Sequence, residues 1–213
     1  MTTARRARVL LGDDHSLVAA GVSRLLESEH ELLGTVSDGR ALVASAKTTN
    51  PDVVLADISM PILNGLEAAR QIRASLPGCK IIFLTVHSES VYVKEAFRAG
   101  ASGYVLKQSA ASELSVAIQE VLNNNRYVTP LINRSALENL LDNRGNQTQA
   151  LSSRQREVLQ LVAEGHSAKE IGAILSISSK TVEFHKGAIM KRLKLHSTAE
   201  LTRYALEHQI SGG

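Results

Sequence analysis

Short apolar runs rich in β-branched residues alternate with amphipathic stretches along the first 125 residues of the chain. The runs predict strands at Arg8–Gly12, Leu32–Val36, Val53–Ala56, Ile81–Thr85 and Tyr104–Leu106. Helical spacing marks the stretches between them. Leu114, Ile118, Val121 and Leu122 stand at i, i+4, i+7 and i+8 and form one stripe toward a core. Asn50-Pro51 ends the second helical stretch and Pro77-Gly78 the third, because proline lacks an N–H and pushes the preceding residue out of the helical region. Strands apolar on both faces and joined by helical crossovers predict an α/β domain on a doubly wound, five-stranded parallel sheet. Ligands of such sheets lie beyond the carboxyl ends of the strands.

From Asn123 the chain turns to Asn, Arg, Gln and Thr, with a modest helical pattern over Leu131–Leu141 and a polar stretch over Asp142–Gln149. After Leu151 no strand-like run recurs. The periodicity predicts helices at Ser153–Glu164, Ala168–Leu175, Ser179–Leu193 and Thr198–Gln209. Ser152, Ser178 and Ser197 are placed to cap three of them, and Gly165 to stop the first. The expected division is an α/β domain at 1–125, a partly helical linker at 126–147 and a four-helix, all-α domain at 148–213.

A length of 213 residues is enough for two cores. Apolar residues make up 44% and charged residues 21%, as in soluble globular proteins, and no run nears the roughly 18 apolar residues of a membrane span. Three arginines precede Val9-Leu10-Leu11, but that run is too short for a signal-peptide core, so a cytoplasmic location is expected. Cys79 is the single cysteine, which excludes an internal disulfide and a cysteine zinc site; it reads as packing. The net charge of +3 is unevenly spread: Lys and Arg against Asp and Glu number 12 to 13 in 1–125, 3 to 2 in 126–147, and 9 to 6 in 148–213. Lys180, Lys186, Lys191, Arg192 and Lys194 face only Glu183 within 180–194. A cluster of that kind neutralises phosphates, or forms a solvated helix face.

Asp13 and Asp14 follow the first strand and Asp57 the third. Those two strand ends are neighbours in a doubly wound sheet, so three carboxylates converge there. Taken singly, the pair reads as helix-capping and Asp57 as a turn residue before Met60-Pro61. Together they form an oxygen-rich, negative cluster suited to a hard cation such as Mg²⁺. The fourth strand ends in Thr85 and the fifth in Leu106-Lys107, which brings a hydroxyl and an ammonium to the same rim. This set can handle a phosphoryl group: a carboxylate as nucleophile, Mg²⁺ and Lys107 to neutralise its oxygens, a hydroxyl to sense them.

Over about residues 7–125 these motifs resemble the response-regulator receiver family, whose fold is flavodoxin-like. The matching features are Asp13-Asp14, the stretch Asp57-Ile58-Ser59-Met60-Pro61-Ile62-Leu63-Asn64-Gly65, Thr85, and Tyr104 three residues before Lys107. The resemblance implies that Asp57 accepts phosphate from a sensor histidine kinase. It also implies that Asp13, Asp14, Asp57 and the Ser59 carbonyl hold Mg²⁺, and that Thr85 and Tyr104 form a switch in which Tyr104 turns into space that Thr85 vacates. His15 and Gly21 point to the NarL/FixJ subfamily. Gln108 departs from the proline common after the lysine, so no cis peptide is expected there. His87 reads as a solvated loop residue, or as one that touches the same surface as Thr85 and Tyr104.

The helices at Ala168–Leu175 and Ser179–Leu193, joined by Ser176-Ile177-Ser178, have the spacing of a helix-turn-helix. Val182, Ile189 and Leu193 form the inward stripe of the second helix. A helical hairpin in any small bundle shares this pattern. Residues 148–211 also resemble the LuxR-type domain, through Leu151-Ser152-Ser153-Arg154-Gln155-Arg156-Glu157-Val158-Leu159, Gly165, Lys169-Glu170-Ile171-Gly172 and Ile177-Ser178-Ser179-Lys180-Thr181-Val182-Glu183-Phe184-His185. The resemblance implies that Lys180, Thr181, Glu183, Phe184, Lys186, Gly187 and Lys191 face double-stranded DNA, with Lys180, Lys186 and Lys191 on phosphates and Val182 and His185 supporting the fold. Gly187 departs from the larger residues common there and cannot read a base edge. Leu201, Tyr204, Ala205 and Leu206 resemble a dimerisation helix, or belong to the domain's own core.

The expected protein is a two-component response regulator, not an enzyme, that binds DNA as a homodimer when phosphorylated. Two alternatives stay open. One is a DNA-binding protein whose receiver is a scaffold, marked by equal operator affinity with and without phosphate. The other is a Mg²⁺-dependent phosphohydrolase, disfavoured because Ser59 stands where a second acid–base carboxylate would be needed.

Overall fold

The structure, a computed structural model, describes residues 6–132, 151–208 and 210. Its first part is a parallel sheet of β1 (Arg8–Gly12), β2 (Glu31–Val36), β3 (Val53–Ala56), β4 (Lys80–Thr85), β5 (Gly103–Leu106) and β6 (Tyr127–Val128), in the order β2-β1-β3-β4-β5-β6. Alternation along each strand builds two cores. Val9, Leu11, Val53, Leu55, Ile82, Leu84 and Val105 face α1 (Ser16–Glu29) and α5 (Ala110–Leu122). Leu10, Val54, Ala56, Ile81, Phe83, Tyr104 and Leu106 face α2 (Gly39–Thr49), α3 (Gly65–Ser75) and α4 (Ser90–Arg98).

The expected five strands are present within a residue at either end, and the sheet carries a sixth. β6 has only two residues, too few for a period-2 pattern, and lies where polar composition marks a linker. It pairs in register with the strand that carries Tyr104. Thr129, fully buried, extends the attachment through its N–H to the Tyr104 carbonyl (2.9 Å) and its hydroxyl to Glu113, which also accepts from the Tyr127 hydroxyl (3.0 Å). The helical pattern at 131–141 lies mostly outside the described residues.

The second part consists of α6 (Ser153–Ala163), α7 (Ala168–Leu175), α8 (Ser179–Leu193) and α9 (Thr198–Glu207) around a core of its own. Ser152, Ser178 and Ser197 each cap as expected, and Ser167 adds a capping box with Glu170 ahead of α7. Gly165 takes φ +89°, the left-handed turn that stops α6.

The two parts meet where α6 lies on α3 and on the segment after β3. Glu67, buried with 1% exposure, accepts from Arg156 Nε (2.6 Å) and the Ser153 hydroxyl. Burial pushes its pKa up, but the hydrogen bonds from Arg156 and Ser153 outweigh that and hold it below the ordinary value. Gln160 accepts from the Asn64 N–H (2.7 Å) and donates to the Met60 carbonyl (3.0 Å), and Gln71 donates to Glu157 (2.9 Å). Arg40 donates to the Ile174 carbonyl at 2.5 Å. Ile62 has φ +68°, unusual for a β-branched residue, and its N–H points at the Glu164 carboxylate (3.2 and 3.3 Å).

Candidate functional site

Asp13 and Asp57 emerge at the ends of β1 and β3, which pair in register up to Gly12 and Ala56. Both are buried, with 3% exposure each. Lys107 reaches in from the residue after β5 and places its Nζ 2.8 Å from Asp13 Oδ2 and 2.7 Å from Asp57 Oδ2. Burial raises the Asp57 pKa and Asp13 adds to that, while the hydrogen bond and charge of Lys107 oppose it without cancelling it. For Lys107 burial acts downward, but the hydrogen bonds to Asp13 and Asp57 outweigh it and the net shift is upward. The ammonium stays charged because it lies between two carboxylates.

Asp14 completes the expected trio, and His15 joins it. One ligand atom from each of Asp13, Asp14, His15 and Asp57 lies within 4.8 Å of the others. His15 Nδ1 is 2.8 Å from Asp14 Oδ1, and the His15 N–H donates to Asp13 Oδ1 (2.9 Å). The imidazole's presence was legible only as a residue next to the acidic pair. Gly65 matters for the site's shape, since a Cβ there would fall 1.9 Å from the Asp57 carbonyl oxygen. A side chain would push α3 off the segment that follows Asp57.

Thr85 is fully buried at the end of β4. The structure holds Tyr104 inside as well, fully buried, with its hydroxyl donating to the His87 carbonyl (2.8 Å). Burial, before the nearby acids, raises the phenol's pKa. His87 is not a free loop residue: its Nε2 is 3.1 Å from the Ser59 hydroxyl, and its ring stacks on Tyr92 at 3.8 Å. Ser59 and His87 thus bridge the segment after Asp57 to the segment after Thr85, a link that no strand pattern announces.

In the helical domain Val182 and Ile189 are buried beneath α8, as their spacing predicts. Lys180, Glu183, Phe184, Gly187 and Lys191 are exposed on its outer side. Thr181 is partly covered and linked to the cap, its hydroxyl 2.8 Å from that of Ser178. Lys186 lies to the side, partly buried and 3.4 Å from Glu183, which sets it apart from the open lysines. Among the described residues no helix is long and apolar enough to cross a membrane.

Residues 9–119 match the response regulator receiver domain family, and residues 149–205 match the LuxR family of bacterial regulatory proteins. The chain is 34% identical to the oxygen regulatory protein NreC of Staphylococcus carnosus, over 95% of this chain and 98% of that one. It is 37% identical to the response regulator UvrY of Escherichia coli, over 95% and 94%. Among solved structures it is similar to the RcsB response regulator of Salmonella typhimurium, with a TM-score of 0.62 and 26% identity over 94% of this chain and 96% of that one. A structure of two RcsB dimers bound to two parallel DNAs matches with a TM-score of 0.56 and 26% identity, over 94% and 98%. With an acidic pocket at the strand ends and an open helix-turn-helix behind it, the chain belongs to the response-regulator family, as a receiver joined to a LuxR-type DNA-binding domain that regulates transcription.

Proposed function

We propose that Asp57 is the phosphoacceptor of a two-component relay and that its phosphorylation by a sensor histidine kinase controls how the LuxR-type domain engages duplex DNA. The observation that carries this reading is Lys107, whose ammonium lies between Asp13 and Asp57 at the strand ends. In the transfer an Asp57 oxygen bonds to phosphorus as the donor's bond to phosphorus breaks, which leaves an acyl phosphate, and Lys107 pairs with the phosphoryl oxygens. Three carboxylates against one ammonium leave excess negative charge and hard oxygen donors, a set that fits Mg²⁺. Asp13, Asp14, Asp57 and the Ser59 carbonyl would hold the ion, which supplies charge neutralisation when bound.

Thr85 and Tyr104 are the switch pair in this reading. Thr85 ends β4 and its hydroxyl accepts from the His87 N–H (3.4 Å), and the His87 carbonyl holds the Tyr104 hydroxyl, so a shift of Thr85 toward the phosphoryl group pulls on Tyr104. The receiver occupies 1–125, the linker 126–147, whose first residues add β6 to the receiver's sheet, and the DNA-binding domain 148–213. The regulator works in the cytoplasm and pairs as a homodimer on DNA when phosphorylated, an arrangement supported by the RcsB dimers on DNA. Lys180, Thr181, Glu183, Phe184, Lys186, Gly187 and Lys191 form its DNA-facing surface, with Lys180 and Lys191 the more open lysines.

The test is the affinity of the full chain for a duplex enriched from a random pool, measured with and without prior treatment by Mg²⁺ and acetyl phosphate. Affinity should rise on phosphorylation and fall steeply with salt; equal affinity in both forms would overturn the switch. Lys180→Ala combined with Lys191→Ala should lower the salt slope by about two.

A further inference from the structure

Four exposed positions on α8, Lys180, Phe184, Gly187 and Lys191, follow one another at i, i+4, i+7 and i+11 and so share one face of the helix. The two lysines are about 16 Å apart along the axis. That span exceeds the roughly 12 Å width of a major groove, so each end can reach a phosphate wall while the middle lies over the floor. The middle is apolar and hollow. Phe184 is 72% exposed, the most exposed large apolar side chain among the described residues of the helical domain. Gly187 sits one turn on, where a Cβ would meet nothing within 4 Å.

Among the described residues little asks for either: Phe184 meets only the ring of its neighbour His185, edge-on at 5.9 Å between centroids. A phenylalanine that is 72% exposed adds little buried area, and a glycine in a helix interior destabilises it relative to alanine, here with neither a positive φ nor a close neighbour to require it. A reason for both lies in what approaches from outside. The apolar group that a major groove offers is the 5-methyl of thymine. We infer that Phe184 reads a thymine methyl, and that Gly187 leaves the gap that lets the backbone of α8 come close enough for that contact. This inference rests on the proposed DNA-facing surface of α8.

The full chain is used to enrich a duplex from a pool, and each thymine of that duplex is then replaced in turn by deoxyuridine, which removes only the methyl. Wild type should show a thymine, repeated in each half-site, whose replacement weakens binding about fourfold, the worth of one methyl-sized group returned to water. Phe184→Ala should bind dT and dU duplexes alike, and Phe184→Leu should retain part of the preference. Gly187→Ala should raise the melting temperature yet weaken binding. The inference is overturned if no thymine is sensitive, if Phe184→Ala keeps the sensitivity, or if Gly187→Ala binds as wild type does. Absence of any salt-dependent binding to dT or dU pools is a separate result, which sinks the DNA-facing surface itself.

Discussion

At the scale of single residues, Lys107 decides the character of the pocket. Its ammonium compensates two buried carboxylates, so Lys107→Ala leaves buried charge unpaired. The expected loss is about 3 kcal/mol in urea unfolding at neutral pH, partly recovered on adding Mg²⁺. A loss unaffected by Mg²⁺ would speak against the carboxylates as a cation site. This pocket was legible because each of its parts is fixed by a strand end, and strand ends are set by apolar runs that periodicity reveals. The contact between Ser59 and His87 and the place of the His15 imidazole were not, because loop backbones rather than strands bring those side chains in. The inward placement of Tyr104 was likewise illegible, since a tyrosine at a strand start gives no sign of whether its hydroxyl finds a buried carbonyl.

At the scale of elements, the five longer strands and four C-terminal helices were readable from apolar spacing and serine caps. The sixth strand was not, because two residues carry no period and its hold comes from Thr129 and Glu113 outside the strand itself. Thr129→Val keeps the shape and removes that hydroxyl. Amide exchange at Val128 and Thr129 should then quicken while the central strands stay protected, and unchanged exchange would mean that the Thr129 hydroxyl does not anchor β6. Ser167→Ala, which breaks the capping box of α7, should cost about 1 kcal/mol of stability by thermal unfolding.

At the scale of the whole molecule, the domains are joined by polar contacts between α6 and both α3 and the segment that follows Asp57, while the outer side of α8 stays exposed. Sequence could not announce this contact, since Glu67, Arg156 and Gln160 look like surface residues until the opposing domain covers them. Because the hydrogen bonds from Arg156 and Ser153 across the interface hold the Glu67 pKa below its ordinary value of 4.5, their contribution to docking is complete above that value and is lost as pH falls through the lowered one. Small-angle scattering should show the chain expanding over that acid range, and Glu67→Gln should remove this pH dependence. Arg156→Ala should expand the chain already at neutral pH, with a docking loss of at most about 3 kcal/mol because Arg70 still pairs with Glu67. The central claim, however, is chemical and concerns one side chain. Intact mass of the full chain after incubation with Mg²⁺ and acetyl phosphate should rise by one phosphoryl group in the wild type and not at all in Asp57→Ala; equal labelling of the two proteins would contradict it.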